Sequence, residues 1–118
     1  MDAVFWRRYD RTQNVAWLSI VLVFIYIWSC DFEIQKIIFG PSKRQLIVSG
    51  GLITSHIDRG EWYRLFSSLF LHGDLLHLAF NTSAMWVLGR LCETVYGTVR
   101  SLCLFLISGL CGAFFSWA

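Results

Sequence analysis

Long uncharged runs alternate with charged stretches along this chain. From Thr12 to Cys30 nineteen consecutive residues carry no charge, close to the ~20 that a helix needs to cross a bilayer core. Leu75 to Gly89 is a second apolar stretch, lengthened upstream by uncharged residues after Arg64 and interrupted by Asp74. Ser101 to Ala118 adds eighteen more uncharged residues, about 27 Å at helical rise. The pattern predicts three membrane-spanning helices, at 12–30, 75–90 and 101–118. Arg7, Arg8 and Arg11 resemble the basic start of a signal peptide, but the run after them is long and bulky and no A-x-A-like site follows. A retained anchor is therefore expected.

Residues 31–74 hold both signs of charge, the only proline (Pro41) and the Gly50-Gly51 pair. Within them IQKIIFG and RQLIVSGGLI carry apolar residues that a solvated linker would not need, which predicts a partly folded loop lying at the interface. Leu91 to Arg100 reads as a tight turn between the second and third spans. A cytoplasmic N-terminus puts Arg7, Arg8, Arg11, Arg90 and Arg100 inside and Lys36, Lys43, Arg44, Arg59 and Arg64 outside, a tie by the positive-inside count. The first helix breaks it. Three arginines precede that helix, whereas Asp31 and Glu33 come before the first lysine on its far side, so the N-terminus is expected in the cytoplasm.

Composition agrees with lipid as the solvent. The 118 residues, at most one domain, are 56% hydrophobic and 15% charged, against roughly 25% charged in soluble domains. The net charge is +2, and the basic residues are scattered instead of forming the stripe a phosphate backbone requires, which disfavours nucleic acid as a partner. Cys30, Cys92, Cys103 and Cys111 have no C-x-x-C spacing. They read as small hydrophobes on helix surfaces, not as a zinc site or disulfide framework.

The second span is the one with chemistry. His77, Asn81, Thr82 and Ser83 would be costly against acyl chains and should face protein or a water-filled cavity. His77, Asn81, Met85, Gly89, Glu93 and Gly97 recur every four residues, a spacing that places side chains on one helix face. Such a stripe can be a packing surface, with glycines admitting a neighbouring helix and polar groups bonding across the contact. It can also be catalytic, since an Asn NH₂ and a His N–H one turn apart are paired donors of the oxyanion-hole type. His72 fits either a loop hydrogen bond or a metal ligand. H-x₄-H lacks the H-E-x-x-H pattern of a helical zinc site, so neither metal nor other cofactor is expected.

At this point the residues resemble a family. Gly60 to Asn81, GEWYRLFSSLFLHGDLLHLAFN, is similar to the loop and helix start of rhomboid intramembrane serine proteases. Gly89, Glu93 and Gly97 fall on that family's G-x-x-x-E-x-x-x-G pattern, and Arg64 stands eight residues before His72. The resemblance implies an all-α, polytopic helical membrane fold with a long loop between the first and second spans. It implies that His77 and Asn81 supply an oxyanion hole and that His72 holds the loop. Arg64 would brace the loop, and Glu93, Gly89 and Gly97 would tie the second helix to its neighbours. The family favours Trp-Arg where this chain has Tyr63-Arg64, with Trp62 displaced by one.

A larger departure concerns the nucleophile. The resemblance places the catalytic serine in a G-x-S-G motif on a later helix and its histidine on one later still, and this chain has no G-x-S-G. Ser108-Gly109 has no later histidine to act as base, and a serine without a positioned base is a weak nucleophile. Three readings follow. The chain is the N-terminal part of an active protease that cleaves transmembrane substrates, an incomplete bundle inactive alone. Otherwise it is a pseudoprotease that binds membrane clients, or an unrelated helical subunit whose polar stripe only packs. The expected partners are the lipid bilayer and single-span transmembrane proteins, as substrates or clients; the residues do not indicate an organelle.

Overall fold

The computed structural model describes residues 3–11 and 14–118. All regular structure among them is helical. Helix α1 (Ala3–Arg11) leads to α2 (Asn14–Ser29); Thr12 and Gln13, the start of the expected first span, lie outside the described residues. Trp17, Ile20, Phe24 and Trp28 of α2 are exposed. A helix that is hydrophobic all round belongs in a core or in lipid, and here only one stripe is covered by protein. Leu22, Tyr26 and Cys30, spaced i, i+4, i+8, turn inward against Leu78 to form the buried core.

The chain then turns sharply through Asp31 and Phe32, both with positive φ. The long loop is built from short helices: α3 (Ile34–Phe39), α4 (Lys43–Val48), α5 (Thr54–Ile57) and α6 (Tyr63–Ser67), followed by a 3₁₀ turn over Ser68–Phe70. Each is too short to be stable alone, so tertiary contacts must hold it. The Tyr26 hydroxyl donates to the Ile37 carbonyl at 2.9 Å, and Ser42 caps α4 in a reciprocal box with Gln45. Gly40, at φ 96°, passes so close to the Gly73 carbonyl that a Cβ would collide with it.

Asp74 starts α7 (Leu75–Ala84) by accepting the His77 backbone N–H at 2.7 Å. That is a side-chain cap on a helix end that would otherwise carry unsatisfied donors. The helix runs on unbroken through a π-helical turn, Met85–Gly89, into α8 (Arg90–Tyr96). The turn expected over Leu91–Arg100 is therefore mostly helix, and the chain reverses at Gly97 (φ 82°, ψ 163°) before α9 (Thr98–Trp117). Polar residues around this turn are held between helices. Arg90 donates to the Tyr9 carbonyl at 2.8 Å and lies over the Tyr9 ring, while Glu93 and Thr94 are buried.

Among the described residues α9 is the helix long and apolar enough to cross a membrane, and Trp17–Ser29 is a shorter apolar segment. Val99, Ile107 and Phe115 face outward from α9.

Candidate functional site

The three long helical elements and the end of the loop enclose a groove of about 540 Å³. Asn81, Met85 and Gly89 line one side. Leu22 contributes from α2, Leu69 and His72 from the loop, and Ser101, Phe105 and Ser108 from α9. The lining is mostly apolar, with few polar groups, which is the usual character of a ligand site.

Asn81 and His72 meet in this groove, with Asn81 Nδ2 lying 3.1 Å from His72 Nε2. A carboxamide nitrogen only donates, so Nε2 accepts and the ring proton belongs on Nδ1. Only 2% of His72 is exposed, and its Nδ1 is buried without a hydrogen bond of normal geometry among the described residues. Burial pushes the imidazole below its ordinary pKa, and the neighbouring His77 adds to that shift. The Phe70 backbone and Asp74 act in the opposite sense. A neutral ring is the form that can accept from Asn81. One Asn81 N–H is committed to His72, and the residue lies on the groove lining.

His77 is placed differently. It is exposed, does not line the groove, and presents its ring edge-on to His72 with centroids 5.1 Å apart. The four-residue stripe thus splits, with Asn81, Met85 and Gly89 on the groove and His77 and Glu93 off it. The cause is helical geometry: four residues advance a 3.6-residue helix by about 40° more than a full turn, so a long i, i+4 series winds around the axis. The wider π turn at Met85–Gly89 offsets that drift along the groove itself, a device often found at functional sites.

Glu93 is 1% exposed, and its Oε1 accepts from Asn14 Nδ2 at 2.9 Å and from the Thr98 hydroxyl at 2.6 Å. It ties the start of α2 and the start of α9 to α8. Gly97 supplies the backbone conformation that lets Thr98 return to it.

Arg64 is buried in the loop at 5% exposure. Its Nη1 donates to the carbonyls of Ile47 (2.8 Å) and Gly51 (3.0 Å), and its Nε to Glu61 at 2.7 Å. Glu61 also pairs with His56 at 2.7 Å and accepts the Tyr63 hydroxyl. The Arg64 guanidinium, then His56, hold the Glu61 carboxyl down at about 2. Sequence reasoning missed His56 and Glu61. The only available signal was an acid three residues before a buried arginine, and that signal is weak.

Ser108 shares the groove with His72 and Asn81, but its hydroxyl donates back to Leu104 (2.7 Å) and Phe105 (3.1 Å). The Ser101 hydroxyl, also on the groove, is buried without a partner among the described residues. Among the described residues no group of three or more His, Cys, Asp or Glu side chains is placed to hold a metal, and all four cysteines are free.

Known proteins resemble the chain over most of its length. Residues 59–118 match the Rhomboid domain. The chain is 35% identical over 96 residues to the rhomboid protease GluP of Bacillus subtilis, covering 80% of this chain and 19% of that protein. It is 37% identical over 84 residues to the rhomboid protease AarA of Providencia stuartii, covering 71% and 26% respectively. It is 35% identical over 82 residues to RHOMBOID-like protein 5 of Arabidopsis thaliana, covering 70% and 26%. The chain spans about a fifth to a quarter of the length of these relatives. No solved structure matches it significantly. With its helical architecture and a matching domain over half its length, the chain belongs to the rhomboid family of polytopic helical membrane proteins.

Proposed function

We propose that this chain carries the oxyanion side of an intramembrane serine endopeptidase, with nucleophile and base supplied by sequence outside it. The observation that carries this reading is the Asn81 carboxamide, held by a buried neutral His72 on the wall of a half-open apolar groove. A preorganised donor in a low-dielectric site stabilises developing negative charge without reorganising during the reaction. His77, one turn before Asn81, is the second donor; its imidazole swings toward the groove when a substrate carbonyl occupies it. Arg64 and His72 brace the loop, and Glu93, Gly89 and Gly97 fix the second helix between the first and third. The substrates are single-span transmembrane proteins. The chain crosses the bilayer three times with its N-terminus in the cytoplasm.

One observation favours a second reading. Ser108, one of the two serines on the groove, is bonded to its own helix. On that reading the chain binds transmembrane clients without cleaving them.

Native membranes distinguish the two. An antibody against the loop around Lys43 and Arg44 reports the mass of the native protein, and a reporter with one transmembrane segment reports cleavage. A product well above 13.7 kDa, with cleavage that drops about 10²–10³-fold in Asn81→Ala, supports the protease. Cleavage indifferent to Asn81→Ala overturns it, and reporter retained uncut selects the client-binding reading.

A further inference from the structure

A second hollow, about 390 Å³, lies within the loop and shares no lining residue with the groove that holds Asn81. Leu46, Ile47, Leu52, Ile53 and Leu71 form its apolar walls, and Lys43 is the charged residue on its lining. Two of its lining residues, Ile47 and Gly51, are those whose carbonyls the Arg64 guanidinium holds. The hollow is thus set by the loop's internal bracing.

The charges around it are unevenly committed. Asp31 and Glu33 are both paired with Lys36, at 3.0 and 2.8 Å, and Asp31 also accepts from Gln45. Glu61 is taken by Arg64 and His56, and Asp58 accepts the Trp117 indole N–H at 3.0 Å. Lys43 and Arg44, adjacent and exposed, make no ion pair or side-chain hydrogen bond among the described residues. Phe39 and Val48, the ends of the flanking helices, are 82% and 79% exposed. An exposed apolar skirt of this kind marks a surface that lies against lipid.

An apolar hollow with one uncommitted cation on its lining and a second next to it in the chain fits an amphiphile with an anionic head. A free anion would leave the walls unfilled, and a neutral lipid would leave the cations without a partner. We propose that the hollow seats an acyl chain of an anionic phospholipid whose phosphate is held by Lys43 and Arg44. A membrane of suitable charge would then help to order the loop.

Native mass spectrometry of the detergent-solubilised protein, titrated with phosphatidylglycerol and with phosphatidylcholine, tests this. Phosphatidylglycerol should be retained about thirtyfold better, the ratio that two interfacial cations at roughly 1 kcal/mol each would give. Lys43→Gln with Arg44→Gln should bring the two lipids to parity, whereas Arg59→Gln, at another exposed loop cation, should keep the preference. Leu71→Trp, which fills the hollow, should weaken retention of both. Parity in the native protein overturns the proposal, as does a preference that survives the double substitution. So does equal competition by glycerophosphoglycerol, which carries the head without the chains.

Discussion

The Asn81 carboxamide nitrogen sits 3.1 Å from Nε2 of His72, bridging the end of the loop and the second turn of α7. A nearly fully buried imidazole therefore fixes the direction of the one amide that the groove presents. Replacing His72 by Ala should leave that amide unheld and cost about 1–3 kcal/mol of stability. Because the folded pKa is depressed, the pair is at full strength above the ordinary value of 6.5. It weakens as pH falls from there through the folded value, where the unfolded chain takes up a proton first. Thermal melts across pH 7.5 to 5 should show this loss in the native protein but not in His72→Gln, whose side-chain carbonyl can still accept.

Arg64 satisfies two backbone carbonyls and one carboxylate at once, which a lysine's compact head on a flexible stem cannot reproduce. Arg64→Lys should destabilise the loop by about 1–3 kcal/mol despite keeping the charge. Limited proteolysis within residues 43–60 is the measurement, and a cleavage pattern like that of the native protein would refute the bracing role.

Glu61 gives the same network an acid limit. Its folded pKa of about 2 lies below the ordinary 4.5, so its contribution is present above 4.5 and is lost as pH falls toward about 2. Loop proteolysis should rise over that window in the native protein and show no such rise in Glu61→Gln.

Glu93 accepts two hydrogen bonds through one oxygen, and a glutamine carbonyl can do the same. Glu93→Gln should therefore cost less than Glu93→Ala. Glu93→Ala removes the acceptor of the Thr98 hydroxyl, at about 1–3 kcal/mol, and leaves Asn14 Nδ2 with only its 3.3 Å bond to the Thr98 hydroxyl oxygen. Melting temperatures in a mild detergent decide this, and equal shifts for both variants would contradict it.

Two glycines of the third helical region should respond with opposite signs. Gly97 holds φ 82° and ψ 163°, a region essentially reserved for glycine, so Gly97→Ala should cost about 1–3 kcal/mol. Gly112 lies inside α9, where an added Cβ meets nothing within 4 Å. Gly112→Ala should stabilise by about 0.5–1 kcal/mol, the entropy that glycine loses in a helix.

The residues alone determined the helical class, the family, and the stretches that become α2, α7 and α9, because apolar runs and turn residues act locally. The motif likewise singled out Asn81 and His72 before any coordinate. What the chain order could not supply was which polar residues meet. The four-residue stripe promised one face bearing both His77 and Glu93, yet helical winding carries them off the groove that Asn81, Met85 and Gly89 share. Leu91 to Arg100 read as a tight turn, whereas most of it is helix, with Arg90 and Glu93 bonded across helix contacts. The joining of His56 and Arg64 through Glu61, and of Arg64 to the carbonyls of Ile47 and Gly51, depends on how four short helices pack, none of which could stand alone. Period and composition fix where helices form; only the packed structure decides which buried donor finds which acceptor.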